Sequence, residues 1–413
     1  MTEYWVEVDE QSRLIIPPDL MEHYGIRPGA QIRLKEDSQF LQLNRPLTHL
    51  AKIYLEVTNR CNLSCQTCIR NTWEETQGDI TSETFARIIK SIKKLPSRPD
   101  VFFGGFGEPL LIANIAEMVA EVKKVAGKVE LITNGMLLTE DRSRDLIEAG
   151  LDILWFSLDG ASPEQFSEVR VGGFFSAVLN NIKTFKHLRN KHTHLPEIGI
   201  SFVAMRKNIA DLPRLIHMRN HLGASRYMVT NVLPYSEEMC KEMLYIQSID
   251  RLDSTPSHWE PRIDLPRMDI NPFSQEALIQ TIRYRNNVRI NNVALSQDRG
   301  HCPFIERGSV SIRWDGAVSP CLPLMHKHIS YLHDKPRSVK PYQVGDLSSQ
   351  DLQSIWDSPD YFAFRKLVSA FDFSPCIRCG GCSWSETNEE DCFTNTFPTC
   401  GGCLWAQGVI QCP

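Results

Sequence analysis

At 413 residues, with 42% hydrophobic and 23% charged residues, the chain is too long for one ordinary domain and too apolar to be a disordered polymer. No run approaches the eighteen or so apolar residues of a membrane span, and a net charge of -5 excludes a general pull toward nucleic acid or anionic lipid. The acidic N-terminus lacks the basic-then-apolar pattern of an export signal, so a soluble protein in a reducing cytoplasm is expected.

Residues 1–47 read as a small module with two strand-like runs, Tyr4 to Val8 and Gln31 to Leu43, set around turns at Arg13-Leu-Ile-Ile-Pro-Pro18 and Gly25-Ile-Arg-Pro-Gly29. The segment resembles the swapped-hairpin module of AbrB-like regulators and antitoxins, in which two chains interleave on DNA. Up to Pro46, however, it carries five Lys or Arg against eight Asp or Glu. That balance is poor footing for phosphate, so a homodimer or partner docking is expected, and nucleic-acid binding is not.

Residues 48–250 switch to short apolar runs alternating with helix-period segments, the pattern of repeated βα units and a parallel sheet. Six strands are expected, at Ile53 to Val57, Val101 to Phe103, Val129 to Thr133, Ile153 to Leu158, Ile198 to Val203 and Tyr227 to Leu233. The first helix places Phe85, Ile88, Ile89, Ile92 and Leu95 on one face behind a cap at Thr81 or Ser82. Later helices centre on Ile115 to Val125, Thr139 to Ala149, Ala177 to Leu188 and Leu212 to Leu222, the last stopping at Gly223. The expected fold is α/β, six units curving into a partial (β/α)6 barrel. Residues 251–300, rich in Pro, Asp and Arg, read as a bridge with a helical stretch around Gln275 to Tyr284. Residues 301–413 are rich in Gly and Cys, so metal ligands are expected to replace a large core there.

The thirteen cysteines cluster: three between 61 and 68, one at 240, two at 302 and 321, and seven between 376 and 412. In a reducing compartment, clusters point to metal ligation more than to disulfides. In Tyr54-Leu-Glu-Val-Thr-Asn-Arg-Cys61-Asn-Leu-Ser-Cys65-Gln-Thr-Cys68, a strand delivers three thiols on one loop, enough for three corners of a cubane cluster whose fourth iron stays open. A zinc knuckle borrowing a distant fourth ligand is the plainer alternative.

This loop resembles the C-x3-C-x2-C motif of the radical S-adenosylmethionine (radical SAM) superfamily, which implies a [4Fe-4S] cluster whose open iron binds SAM. Phe103-Gly-Gly-Phe-Gly-Glu-Pro109 matches the family's glycine-rich turn, implying that Gly105, Gly107 and Glu108 meet the methionyl ammonium. Asn134 in Thr133-Asn-Gly135, and Ser157 and Asp159 in Ser157-Leu-Asp-Gly160, match positions near the methionyl and ribose parts of SAM; Arg170 matches an arginine facing its carboxylate. Thr67 departs from the pattern, since the family usually has an aromatic residue before the third cysteine. The implied chemistry is reductive cleavage of SAM to a 5'-deoxyadenosyl radical that abstracts hydrogen from substrate, with a ferredoxin or flavodoxin-type electron donor. Cys240 is a weak candidate hydrogen donor facing the cavity, set against its plainer reading as a small buried hydrophobe. His326, His328 and His333 read as solvated or capping.

Cys302, Gly316 and Cys321, with thirteen and then four residues between them, resemble the opening of the SPASM extension, which implies auxiliary [4Fe-4S] clusters, two of them. Val344 to Trp356, ahead of Phe364-Arg365, resembles the helix preceding its second cysteine group. The remaining ligand candidates are Cys376, Cys379, Cys382, Cys392, Cys400, Cys403 and Cys412, in a spacing that departs from the SPASM pattern. Nine cysteines exceed the eight that two clusters need, leaving one spare, and a zinc ribbon at Cys400-Gly-Gly-Cys403 is the alternative. Glu56 to Cys61, Gly104 to Pro109, Phe202 to Arg206, Asn231 to Tyr235 and Phe397 to Gly408 together resemble the radical SAM maturases of tungsten-cofactor oxidoreductases. The resemblance implies anaerobic modification of a tungsten-pterin cofactor or of its aldehyde ferredoxin oxidoreductase host. Two other classes of function are weighed beside it. One is a SPASM enzyme forming thioether or carbon-carbon crosslinks in a peptide; the other is a non-enzymatic, metal-dependent DNA-binding regulator.

Overall fold

The computed structural model describes residues 6–36, 41–246, 263–265, 277, 288–290, 293–294, 301–374, 376–378 and 383–413. Cys379, Cys382 and, but for Ala277, the expected helical stretch from Gln275 to Tyr284 lie outside the described residues.

Six strands form where the apolar runs predict them: Lys52–Leu55, Asp100–Phe103, Val129–Thr133, Ile153–Ser157, Glu197–Ala204 and Arg226–Asn231. All pair in parallel and in chain order. Ile53, Leu55, Val101, Leu131, Leu154 and Ile200 are sealed from water; strands covered on both faces need no polar alternation, which is why they read as continuous apolar runs.

The helices start where side chains satisfy free amides. Thr81 accepts from the Thr84 amide ahead of Ser82–Lys93, and Thr139 from the Arg142 amide ahead of Glu140–Glu148. Gly223, at φ 68°, closes the last helix as expected, but the expected single helix is two, Leu212–His217 and Arg219–Leu222, tightened at Met218. Pro163–Val169 is a further helix that periodicity does not reveal, since seven residues carry too little of it. Ser162 caps its start, and its end delivers Arg170.

Beyond the first barrel strand the sheet does not stop. Ser309–Ile312 lies parallel to Lys52–Leu55, followed by Ala317–Ser319 and Gly345–Asp346, both antiparallel to their neighbours. Gly316, at φ 97°, makes the hairpin turn, so the Cys302 to Cys321 spacing spans a helix and a hairpin. This C-terminal region also holds more core than expected. Leu352–Trp356 and Pro359–Ala370 bury Trp356, Tyr361, Phe364 and Val368, and the Arg365 guanidinium lies 3.8 Å from the Trp356 ring centroid. Aromatic packing therefore shares the work first assigned to metal ligands alone.

In the N-terminal module, Glu7–Val8 pairs with Leu14–Ile15, and Leu34–Glu36 with Leu41–Leu43, on either side of helix Pro18–Tyr24. The run expected as one strand from Gln31 to Leu43 is thus a hairpin. Ile263–Leu265, Val288–Ile290 and Val293–Ala294 form a small sheet within the expected bridge. Among the described residues no helix is long and apolar enough to cross a membrane.

Candidate active site

The three-cysteine loop leaves the end of the first barrel strand and is pinned from two sides. The Ser64 and Gln66 amides donate to the carbonyls of Val171 and Val169, which flank Arg170. Asn71 donates to the Cys65 carbonyl at 3.1 Å, and Tyr235 donates to that of Gln66. Burial pushes the Cys65 and Cys68 thiols up, and the neighbouring sulfurs of the loop add to it. Three soft donors on one loop are the ligand type that a thiolate-bound metal centre uses.

The glycine turn after the second strand packs directly on this loop. A Cβ added to Gly107 would stand 2.1 Å from the Thr58 carbonyl oxygen, and one on Gly105 would stand 2.7 Å from Glu56 Oε1. Glycine is required here for two loops to touch. Glu108 is buried, which raises its pKa, yet it accepts from the Leu110 amide, the Thr133 hydroxyl at 2.8 Å and the Asn134 amide at 2.7 Å. Its carboxylate therefore builds the turn of the third strand, besides whatever ammonium it meets. Asn134 reaches back to the cysteine loop, with Nδ2 2.8 Å from Asn62 Oδ1 and 3.8 Å from Cys61 Sγ.

Arg170 donates from Nε to Asp159 Oδ2 at 2.7 Å and points Nη1 at Cys65 Sγ, 3.8 Å away. Burial alone would depress its pKa, but Asp159 and Cys65 hold it above the ordinary value, so it stays charged. Asp159 is fully buried and also accepts from the Val203 amide. It anchors Arg170, and of Ser157 and Asp159 only Ser157 lines the cavity described below.

One cavity of about 240 Å³ gathers Cys61, Cys65, Cys68, Gly105, Gly107, Glu108, Asn134, Ser157 and Arg170, with Thr67 in its wall. Phe106 and Trp405 are the aromatic residues lining it, in place of the aromatic missing at Thr67. Cys240 is not brought there among the described residues. It ends the helix Glu237–Cys240, half-buried, its thiol pushed up to about 11 by burial. Its side chain packs against the hydrophobic core.

Several lining residues escape sequence logic. Trp405 and Ile410 reach the cavity because the C-terminal segment lies across the open edge of the barrel. There Asn231 Nδ2 donates to the Val409 carbonyl, and the Gln411 amide to Thr230 Oγ1. His326 is corrected from solvated to buried: its Nε2 lies 2.8 Å from Glu56 Oε2, Nδ1 bonds Glu75, and its ring stacks on Trp73 at 4.2 Å. Glu56 Oε1 in turn accepts the Phe106 amide of the glycine turn. His333 fits its capping role through the Ile377 carbonyl at 2.7 Å.

A second centre is assembled from distant pieces. Cys302, Cys321, Cys400 and Cys403 line one enclosed space of about 50 Å³, among Phe304, Leu324, Val339 and Leu404. Burial, and then the neighbouring sulfurs, push Cys302 up to about 12 and raise Cys321 and Cys400 well above the ordinary thiol range. Four cysteines lining one space in an apolar shell are the donor type of a thiolate-ligated iron-sulfur cluster, although among the described residues no three of them stand close enough together to hold a single metal ion. Of the other candidates, Cys376 is buried beside Ser374 Oγ and Cys392 is exposed. Cys412 stands apart, accepting the Trp405 indole N–H at 3.2 Å.

Comparison with known proteins gives the family of the barrel and of the first part of the C-terminal region. The family model for the radical SAM superfamily matches residues 55–216, and that for the SPASM iron-sulfur cluster-binding domain matches residues 302–383. The tungsten-containing aldehyde ferredoxin oxidoreductase cofactor-modifying protein of Pyrococcus furiosus is 31% identical over 366 residues, covering 87% of this chain and 96% of that one. A probable GTP 3',8-cyclase of Methanococcus maripaludis is 27% identical, over 65% of this chain and 83% of its own. Among solved structures, Streptococcus suis SuiB bound to S-adenosylmethionine shares the fold with a TM-score of 0.53 at 16% identity, over 84% of this chain and 73% of that chain.

Proposed function

The chain belongs to the radical SAM superfamily and carries its SPASM extension, and from that premise we propose that it matures a tungsten-pterin cofactor or the aldehyde oxidoreductase that hosts it. It is a radical SAM iron-sulfur enzyme, which sets aside a non-enzymatic DNA-binding regulator. The substrate assignment draws its support from the relative in Pyrococcus furiosus, whose name carries that role over nearly its whole length.

The observation that carries the enzymatic reading is the single cavity uniting the three-cysteine loop, the glycine turn, Asn134, Ser157 and Arg170. When bound, a [4Fe-4S] cluster with SAM supplies one electron to the sulfonium and releases methionine and a 5'-deoxyadenosyl radical. Cys61, Cys65 and Cys68 would hold that cluster. Arg170, charged and fixed by Asp159, offsets negative charge at Cys65. Gly105 and Gly107 bring backbone close to the methionyl end, Glu108 and Asn134 fix the turn there, and Ser157 faces the ribose side. Phe106, Trp405 and Ile410 exclude water from the radical's path.

The auxiliary clusters divide in this reading between Cys302, Cys321, Cys400 and Cys403 on one side, and Cys376, Cys379, Cys382 and Cys392 on the other, leaving Cys412 as the spare. A ferredoxin or flavodoxin-type protein would supply the electron. The N-terminal hairpins leave Val8, Leu14, Ile15, Leu34 and Leu41 exposed, apolar surface suited to a second copy of the chain.

Anaerobic purification, iron counting and a SAM-cleavage assay test the enzyme; about twelve irons per chain are expected. For the substrate, a tungsten aldehyde oxidoreductase produced without this protein should be tungsten-loaded but inactive. Full activity in its absence would remove the maturase assignment.

A further inference from the structure

Arg337 sits in the strand Lys335–Val339, 3% exposed, and its guanidinium lines the same enclosed space as Cys302, Cys321, Cys400 and Cys403. Its approach is close: a Cβ added to Gly402, between Cys400 and Cys403, would stand 2.9 Å from Arg337 Cζ. Nη1 donates to the Ser385 carbonyl at 2.6 Å. Among the described residues no carboxylate forms an ion pair with it. The titratable groups it faces are the thiols of Cys376, Cys403 and Cys400; burial lowers its pKa, and only negative charge on those sulfurs opposes that.

A guanidinium taken out of water without a counter-ion costs several kcal/mol, so one that is kept there implies an anion. Arg365 shows the alternative solution. Equally buried, it is sandwiched over the rings of Trp356 and Tyr361 at 3.8 and 4.4 Å. Among the described residues Arg337 has no such ring; it has sulfur. Protonated thiols would leave its charge uncompensated, whereas thiolates bridged by a metal centre carry net negative charge.

We infer that Arg337 is the buried counter-cation of the auxiliary centre held by Cys302, Cys321, Cys400 and Cys403, and that its charge makes this centre easier to reduce. The inference rests on the reading of those four thiols as iron-sulfur ligands. Arg337 also faces Cys376. Reduction adds an electron to a group that is already anionic, so a fixed cation beside it stabilises the reduced form more than the oxidised one.

The test uses the full chain, reconstituted anaerobically, with Arg337→Met and Arg337→Lys, iron counting and a redox titration followed by electron paramagnetic resonance. The relevant signal is identified as the one missing from Cys400→Ala/Cys403→Ala. Arg337→Lys should keep its iron and titrate near the wild type, while Arg337→Met titrates at a more negative midpoint. Loss of auxiliary iron in the Met variant alone would equally support a requirement for charge. An unchanged midpoint with full iron in Arg337→Met, or equal iron loss in both variants, would overturn the inference. If Cys400→Ala/Cys403→Ala loses no iron, the cluster reading itself fails at the first step, and the role of Arg337 with it.

Discussion

The two cysteine centres are built in opposite ways. The first takes three thiols from eight consecutive residues, on a loop that ends a strand, and opens onto a cavity of about 240 Å³. The second draws four thiols from residues 302, 321, 400 and 403 around about 50 Å³, walled by apolar side chains. Metal sites that bind substrate keep a position open, while structural or electron-storing sites are closed. In the proposed reading, the difference in room accompanies a reacting centre and a supporting one, in a chain whose cysteines are chemically alike.

Replacing Cys61, Cys65 and Cys68 together by Ala should break that comparison most severely, with loss of about four irons and of all SAM cleavage. Iron analysis and a cleavage assay read it; retained cleavage would refute the central assignment. Cys400→Ala/Cys403→Ala should also lose about four irons yet still cleave SAM, while product formation stops. Because ligand binding there supports folding, hydrogen exchange should show the C-terminal region opening before the barrel, as it should under chelation. Equal loss of cleavage in both variants would erase the distinction between open and closed centres.

What was legible in the sequence follows the same divide. Contacts close along the chain could be read: the six strands, the Thr81 and Gly223 caps and the cysteine-loop spacing all rest on residues within a few positions of one another. The partition of the C-terminal cysteines could not, since Cys302 meets Cys400 only through the chain's path. Nor could the strand Ser309–Ile312 be placed beside Lys52–Leu55, because a four-residue apolar run says nothing of its neighbour. Trp405 and Ile410 reach the first centre, and His326 reaches Glu56 behind it, by long-range crossings that leave no periodic signal. His326 in particular has buried polar partners on segments far from it in sequence, so its neighbours in the chain suggested solvent.

A smaller effect sharpens the role of the glycine turn. Gly107→Ala would drive a methyl group against the Thr58 and Arg60 carbonyls, at 2.1 and 2.7 Å before relaxation. The turn must then retreat from the cysteine loop, at a cost of about 1–3 kcal/mol. SAM affinity should fall about tenfold, which corresponds to 1.4 kcal/mol, with iron content unchanged. Equilibrium binding to the reconstituted protein checks it, and unaltered affinity would mean that the turn does not position SAM.

The smallest effect concerns the strap that joins the two regions. His326, from the C-terminal part, lies between Glu56 of the barrel and Glu75, and Glu56 carries the Phe106 amide of the glycine turn. Burial pulls the His326 pKa down, but the two carboxylates outweigh it and leave the pKa raised, so the imidazolium is favoured in the fold. A raised folded pKa means stabilisation that is complete below the unfolded value of about 6.5 and lost as pH climbs through the folded one. His328, also buried beside it, is lowered to about 4 and stays neutral across that window, so it does not mask the trend. His326→Gln should therefore lower Tm by a few degrees at pH 6, and the gap from wild type should narrow toward pH 9. A gap independent of pH would show that the strap works through shape and packing on Trp73, with the ion pairs contributing nothing.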